Sequence, residues 1–189
     1  MRTKWLDKNI CYDGSQLRSL YAYMNEGILG DSIIAWRGPC DVAWEHMVDG
    51  EDLRARSPIA GSDMVHFVVE KFDCSLLAAV ALQRLMSSIA LDLIRQKAGS
   101  RSLAQELFRS GDDLFAGERK LSISVATVSP VSAMIHFAVN VSNTGTPVPT
   151  LSLEDLQYPA TVFAQDLLLA MQKEVVSTVE ATRKVSWIK

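Results

Sequence analysis

Between Gly111 and Pro130 the chain reads GDDLFAGERKLSISVATVSP. Two cations followed by a run of short side chains are residue types from which a site for an anion can be built. If Lys120 to Ala126 is extended, alternate side chains point to opposite faces. Leu121, Ile123 and Val125 then face the helices, while Lys120, Ser122, Ser124 and Ala126 share the other face. An ammonium beside hydroxyls and open space suits a small molecule bearing a carboxylate or acyl group, because lysine is a point charge with three donors. Held away from water, it would stabilise negative charge developing in acyl or phosphoryl transfer. The plainer alternative is a solvated sheet face, where Ser and Thr are common and Lys often begins a strand.

Other candidates lie outside this run. Arg37, just past a buried strand, has the planar donors that grip phosphate or carboxylate. Cys40 in RGPCDV follows Gly38-Pro39, where a thiol near Arg37 would gain thiolate character; the commoner outcome is a small apolar residue packed under a turn. Of the three histidines, His46, His66 and His136, no pair has a metal-ligand spacing, so no metal site is expected. His136 shares strand parity with Met134, Ala138 and Asn140, which puts it on the more polar face beside Lys120, where it would orient a substrate. Thr127 would complete the pocket floor with Ser122 and Ser124. Asp112-Asp113 either pairs with Arg119 across a hairpin or solvates its mouth.

These residues need elements to position them. KNICY reads as a leading strand, and DGSQLRSLYAYMNEGILG as a helix capped by Asp13 or Ser15 and ended by Gly27 and Gly30. Ser32 to Trp36 is a short buried strand broken by Gly38-Pro39. Val42 to Asp63 is polar and irregular, with one helical turn. DMVHFVVEKF is a strand that feeds a long helix capped by Asp73 or Ser75, with Leu76, Val80, Met86, Ile89, Leu93 and Ile94 on its core side. A weaker helical piece covers Leu103 to Phe108. DDLF and RKLSISVAT form a hairpin around Ala116-Gly117-Glu118, and AMIHFAVNV is a further strand. A last helix runs from about Ala160 to Arg183, burying Phe163, Leu167, Met171, Val175 and Val179. The pattern predicts one α+β domain over residues 1–189: a mostly antiparallel sheet covered by two or three helices.

Composition narrows the function classes. The 189 residues are 48% hydrophobic and 22% charged with a net charge of −3, and no run of like charge gives a nucleic-acid footprint. The first residues, MRTKWLDKNICYDG, lack the apolar segment and cleavage site of a secretory signal. Oily stretches are interrupted before the roughly 18–20 residues of a membrane span. Three unpaired cysteines fit a reducing cytoplasm. An exposed sheet edge would allow a homo-oligomer, though no residue pattern demands one.

GDDLFAGERKLSISVAT…AMIHFAVNV resembles the hairpin and following strand of the biotin– and lipoate–protein ligase fold family. There an Asp-hydrophobic…Gly-Arg-Lys-x-Ser-Gly-Ser-Ala pattern carries a lysine that contacts the acyl-adenylate. Asp113, Gly117, Arg119, Lys120, Ser122, Ser124 and Ala126 stand at the matching positions, and His136 with FAVNV answers to the next strand. More closely, YDGSQLRSLYAYMNEGILGDSIIAWRGPCDV, RKLSISVATVSPVSAMIHFAVNV and GTPV are similar to an uncharacterised prokaryotic family, domain of unknown function 366. That likeness runs along nearly the whole chain and implies no activity.

The chain also departs from the ligase pattern. Ile123 replaces the glycine that lets a ligand approach the strand, and by alternation it should point to the core. WRGPCDVAWEHMVD, with one Arg and one Gly, stands where the ligases carry a basic, glycine-rich loop around the nucleotide. ATP is therefore implied by the resemblance and argued against by the residues, and the cofactor stays open. The leading expectation is an enzyme handling a small carboxylate or acyl group by adenylation or acyl transfer. The alternative is a non-catalytic metabolite-binding or assembly protein with the same pocket.

Overall fold

The computed structural model describes residues 1–188. The chain forms β1 (Arg2–Asn9), α1 (Tyr21–Glu26), β2 (Ser32–Asp41), a 3-10 turn (Trp44–His46), α2 (Gly50–Ala55) and β3 (Ala60–Phe72). There follow α3 (Leu76–Lys97), α4 (Arg101–Glu106), β4 (Phe108–Ser110), β5 (Asp113–Ala116), β6 (Arg119–Lys120), β7 (Ser122–Val128), β8 (Ser132–Asn140) and α5 (Ala160–Thr182). A five-stranded sheet has the order β1-β2-β3-β8-β7, and a small second sheet the order β4-β5-β6. Only the β1–β2 pair is parallel; every other pair is antiparallel. This is the α+β class that the pattern of apolar runs implies.

Both faces of the main sheet are covered, so its central strands read as unbroken apolar runs rather than as alternation. Val65, Phe67 and Val69 of β3 and Ile135, Phe137 and Val139 of β8 face α3 and α5, where Met86, Ile94, Phe163, Leu167 and Met171 fill the core. The opposite face holds a second cluster, with Ile34, Trp36, Met64, Val68 and Ala138 under Tyr12 and Ala22.

α3 sends Met86 and Ile94 into the core and packs Ile89 and Leu93 against it as expected, but it also buries small residues that the apolar spacing does not mark. Ser75 caps it, its hydroxyl accepting the Ala78 N–H. The buried side is Ala79, Gln83, Met86, Ser87, Ala90, Leu91 and Ile94, while Leu76 is exposed. Small residues let the helix come close to β7, and close approach decides the face. By length and composition α3 could cross a bilayer; here it lies on the sheet.

The first forty residues depart most from expectation. β1 begins at Arg2, and Tyr12 makes only an isolated bridge to Cys40. Residues 13–20 are turns, because the polar groups expected to cap a helix are used locally. Asp13 Oδ1 accepts the Ser15 N–H, Gln16 Nε2 donates to the Cys11 carbonyl, and the Leu20 N–H is taken by buried Glu70. Gly27 does end the helix, with φ 68°. β2 does not stop at Gly38-Pro39 but continues to Asp41 across a register shift.

Gly38 permits this, since a Cβ there would lie 2.1 Å from the Ile10 carbonyl oxygen. The same Ile10 oxygen accepts the Trp36 indole N–H at 2.9 Å. We expect Gly38→Ala to lower the unfolding free energy by more than about 2 kcal/mol, read by urea denaturation. A variant as stable as the parent would show that the two segments separate freely.

Candidate functional site

A cavity of about 390 Å³ opens on the sheet face opposite α3 and α5. Tyr12, Met64, Ile123, Val125, His136 and Asn140 form its floor, and its walls come from residues 42–60, which include α2, and from the loop at residues 146–150. Lys120 lines it and is the sole lysine or arginine among its lining residues.

Lys120 reaches this face because β6 and β7 are not one strand. The Lys120 N–H donates to the Pro149 carbonyl, and its own carbonyl accepts from the Leu151 N–H. One residue later, the Leu121 N–H goes to Leu114 and the Leu121 carbonyl accepts from the Asn140 N–H. Alternation counted through Leu121 therefore fails, and the expected faces of β7 are reversed. Ser122, Ser124 and Ala126 pair with Val139, Phe137 and Ile135 on the helix side of the sheet. Ile123, Val125 and Thr127 pair with Ala138, His136 and Met134 on the cavity side.

The short side chains of β7 make room for protein rather than for ligand. Ser122 is fully buried and its hydroxyl accepts the Leu114 N–H. The Ser124 hydroxyl donates to Asp112 at 2.7 Å and accepts from Gln83 of α3 at 2.8 Å. Gln83 also donates to Asp112, so a partly buried three-member network fastens the β5 approach to α3. Ser122 lies outside the cavity lining, and Ser124 reaches it only with its hydroxyl already engaged. Ile123 points into the cavity, not toward the helix-side core.

The Lys120 ammonium is 2.6 Å from Asp113 Oδ2, with the two side chains 30% and 19% exposed. It also lies 5.9 Å over the Phe115 ring. Asp113 thus pairs with Lys120 and not with Arg119. Its second oxygen is buried without a partner. Burial accordingly pushes the Asp113 carboxyl up to about 6, even though Lys120 pulls it down. Asn140 holds the junction, donating through Nδ2 to the Lys120 and Leu151 carbonyls.

The remaining candidates separate. His136 is 2% exposed and lies on the cavity floor. Tyr12 stacks on its ring with centroids 3.6 Å apart and planes 6° from parallel, and His66 Nδ1 is 3.1 Å from its Nε2. Burial holds His66 down at about 4, and His136 well below the usual histidine range. Arg37, Arg119, Thr127 and Cys40 do not line the cavity. Arg37 is clamped by Asp63 through bonds of 2.8 and 2.5 Å. Cys40 is sealed in the second cluster, and burial first, with neighbouring Cys11 and Asp41, pushes its thiol up to about 12. A thiol so placed is a poor nucleophile.

Sequence reasoning singled out Asp112-Asp113 but missed the rest of the acidic side of the cavity. Asp49, Glu51, Asp52, Asp112 and Asp113 all line the cavity against one lysine. Asp49, Glu51 and Asp52 belong to the α2 cap and first turn, where acids are ordinary helix chemistry, so nothing in their spacing marks them. Among the described residues no group of three His, Cys, Asp or Glu side chains is arranged to hold a metal ion.

The fold is similar to that of the biotin and lipoate ligase catalytic domains. A lipoate–protein ligase A bound with ATP aligns over 94% of this chain and 86% of its own, with TM-score 0.54 at 14% identity. A biotin protein ligase from Aquifex aeolicus aligns over 95% and 71%, with TM-score 0.58 at 9% identity. These likenesses establish the fold.

The chain itself belongs to the family described as domain of unknown function (DUF366), whose model matches residues 1–186. A protein of unknown function from Pyrococcus horikoshi is 40% identical, aligns over 100% of this chain and 99% of its own, and has TM-score 0.92. An uncharacterised protein of Methanocaldococcus jannaschii is 37% identical over 151 residues, which is 77% of this chain and 66% of that protein, just under two thirds of its length.

The raised Asp113 carboxyl sets a sign. The folded state binds this proton more tightly than the unfolded chain, so the group's contribution to stability falls as pH rises from about 4 to about 6. Urea denaturation across that interval should show the wild type losing stability relative to Asp113→Asn. Parallel stability curves for the two proteins would contradict the placement of this carboxyl.

Proposed function

We propose that the cavity binds a small carboxylic acid, or its activated acyl form, and that Lys120 meets the carboxyl group. The observation that carries this reading is the Lys120 ammonium, held at 2.6 Å by Asp113 inside a cavity with no other lysine or arginine among the described residues. An ammonium has three donors, so one given to Asp113 leaves two for a ligand. The apolar floor of Ile123, Val125 and Met64 suits a hydrocarbon chain beyond the carboxyl. In this reading the function is acyl handling: Lys120 stabilises the negative acyl oxygen during adenylation or acyl transfer.

One observation favours a second reading, in which the protein binds its acid without turning it over. A triphosphate needs several donors. Yet Arg37 is committed to Asp63 outside the cavity, and five carboxylates line the cavity against one ammonium. Like charge in a partly dry site disfavours a polyanion. ATP is the weakest element of the adenylation scheme.

Thermal shift with hexanoate and octanoate, followed by calorimetric titration, tests the site. A ligand bound only by the folded state raises the melting temperature. Lys120→Ala should weaken acid binding roughly ten- to hundredfold, the equivalent of one charge-assisted hydrogen bond, while leaving the fold intact. Unchanged affinity in the variant would remove Lys120 from the site. Acid-dependent exchange of pyrophosphate into ATP supports adenylation; binding without exchange supports the second reading.

A further inference from the structure

His136, on the cavity floor, is bonded to a second buried histidine, His66, that lies outside the cavity lining, and the protons of both can be placed by elimination. His66 Nε2 lies 3.1 Å from the Gly38 carbonyl oxygen. A carbonyl only accepts, so this nitrogen carries hydrogen. His66 is fully buried and neutral, which leaves its Nδ1 bare. That lone pair is 3.1 Å from His136 Nε2, so His136 must be the donor and must carry its hydrogen on Nε2. Its Nδ1 is then a lone pair, and no described residue donates to it.

Packing keeps this arrangement from relaxing. The Tyr12 ring lies flat on His136, and Trp36 and Tyr12 both pack against His66. The anchor is the Gly38 carbonyl, at the place where β2 shifts register. On the same sheet face His136 has the apolar neighbours Val125, paired with it across the sheet, and Ile123 two residues along.

We propose that His136 Nδ1 is a fixed hydrogen-bond acceptor of the cavity, and that the acid bound there also carries an O–H or N–H donor that it recognises. The acceptor follows from the histidine geometry alone; the acid rests on the carboxylate reading of Lys120. His66 is a positioning residue, since it sets the tautomer without reaching the ligand. The substrate class is a carboxylic acid with a hydroxyl, amide or amine along its chain, rather than a plain fatty acid.

Two measurements on the full chain separate the parts. Nitrogen-15 histidine spectra should show His66 and His136 as neutral Nε2–H tautomers that do not titrate between about pH 5 and 8, where an ordinary histidine does. Calorimetry with hexanoate, 3-hydroxyhexanoate and 6-hydroxyhexanoate should show at least one hydroxy acid binding roughly three- to tenfold tighter than hexanoate. His136→Phe, which keeps a flat ring under Tyr12, should erase that preference. Hydrogen on His136 Nδ1, titration within the range, or equal binding of all three acids would overturn the proposal. Failure of every acid to bind would overturn the carboxylate reading, and the spectrum would then decide the acceptor by itself.

Discussion

A single residue, Leu121, carries the chain from one sheet to another, and the site depends on that crossing. Before it, Lys120 bonds to the strand-like segment at Pro149–Leu151; at Leu121 the backbone bonds go instead to Leu114 and Asn140. After it, β7 lies beside β8 with its small residues toward α3. Were β6 and β7 one unbroken strand, Lys120 would share the face of Ser122 and Ser124, buried beneath α3 and the β5 approach. The break turns the ammonium to the opposite face, where there is a cavity. Asn140 ties the junction together by reaching both Lys120 and Leu151 carbonyls.

The same crossing marks the limit of what the residues say unaided. Apolar runs place β3, β8 and α5 well, because burial on both faces leaves a composition signal that needs no register. The hairpin is legible from Gly117, and the ligase-like pattern points to Lys120 and His136, both of which line the cavity. Face assignment within β7 is not legible, since period-two alternation holds only along a continuous strand and Leu121 looks like any core leucine. The N-terminal helix is over-read for a related reason: Asp13 and Ser15 are good capping residues, but they bond each other within the turn, and the Leu20 N–H goes to Glu70 of β3. The face of α3 is legible through Met86, Ile89, Leu93 and Ile94, which reach the core, but not at Leu76, which is exposed, nor at Ala79, Ser87 and Ala90, which close packing buries.

The charges lining the cavity are unequal: five carboxylates and one ammonium. One ammonium, partly satisfied by Asp113, is suited to one carboxyl group; five carboxylates in the same lining repel a chain of phosphates. The segment from Trp36 to Asp49 begins as the end of strand β2, whose Arg37 is held by Asp63 and whose Cys40 is sealed, and continues through a 3-10 turn at Trp44–His46. Val42 and residues 46–49 of this segment line the cavity, and its backbone contributes as well. The Gly38 carbonyl orients His66, which orients His136. The shared fold therefore supplies the platform, and the chemistry is set by residues particular to this chain.

The central claim is spatial: an acid in this protein sits against Lys120, over Ile123 and Val125. A crystal structure with hexanoate bound tests it most directly. The account predicts the carboxylate within about 2.7–3.2 Å of Lys120 Nζ, with Asp113 retaining one donor of the ammonium and the alkyl chain along the cavity floor. Hexanoate seated at Arg37, or an ammonium turned away from a filled cavity, would contradict it.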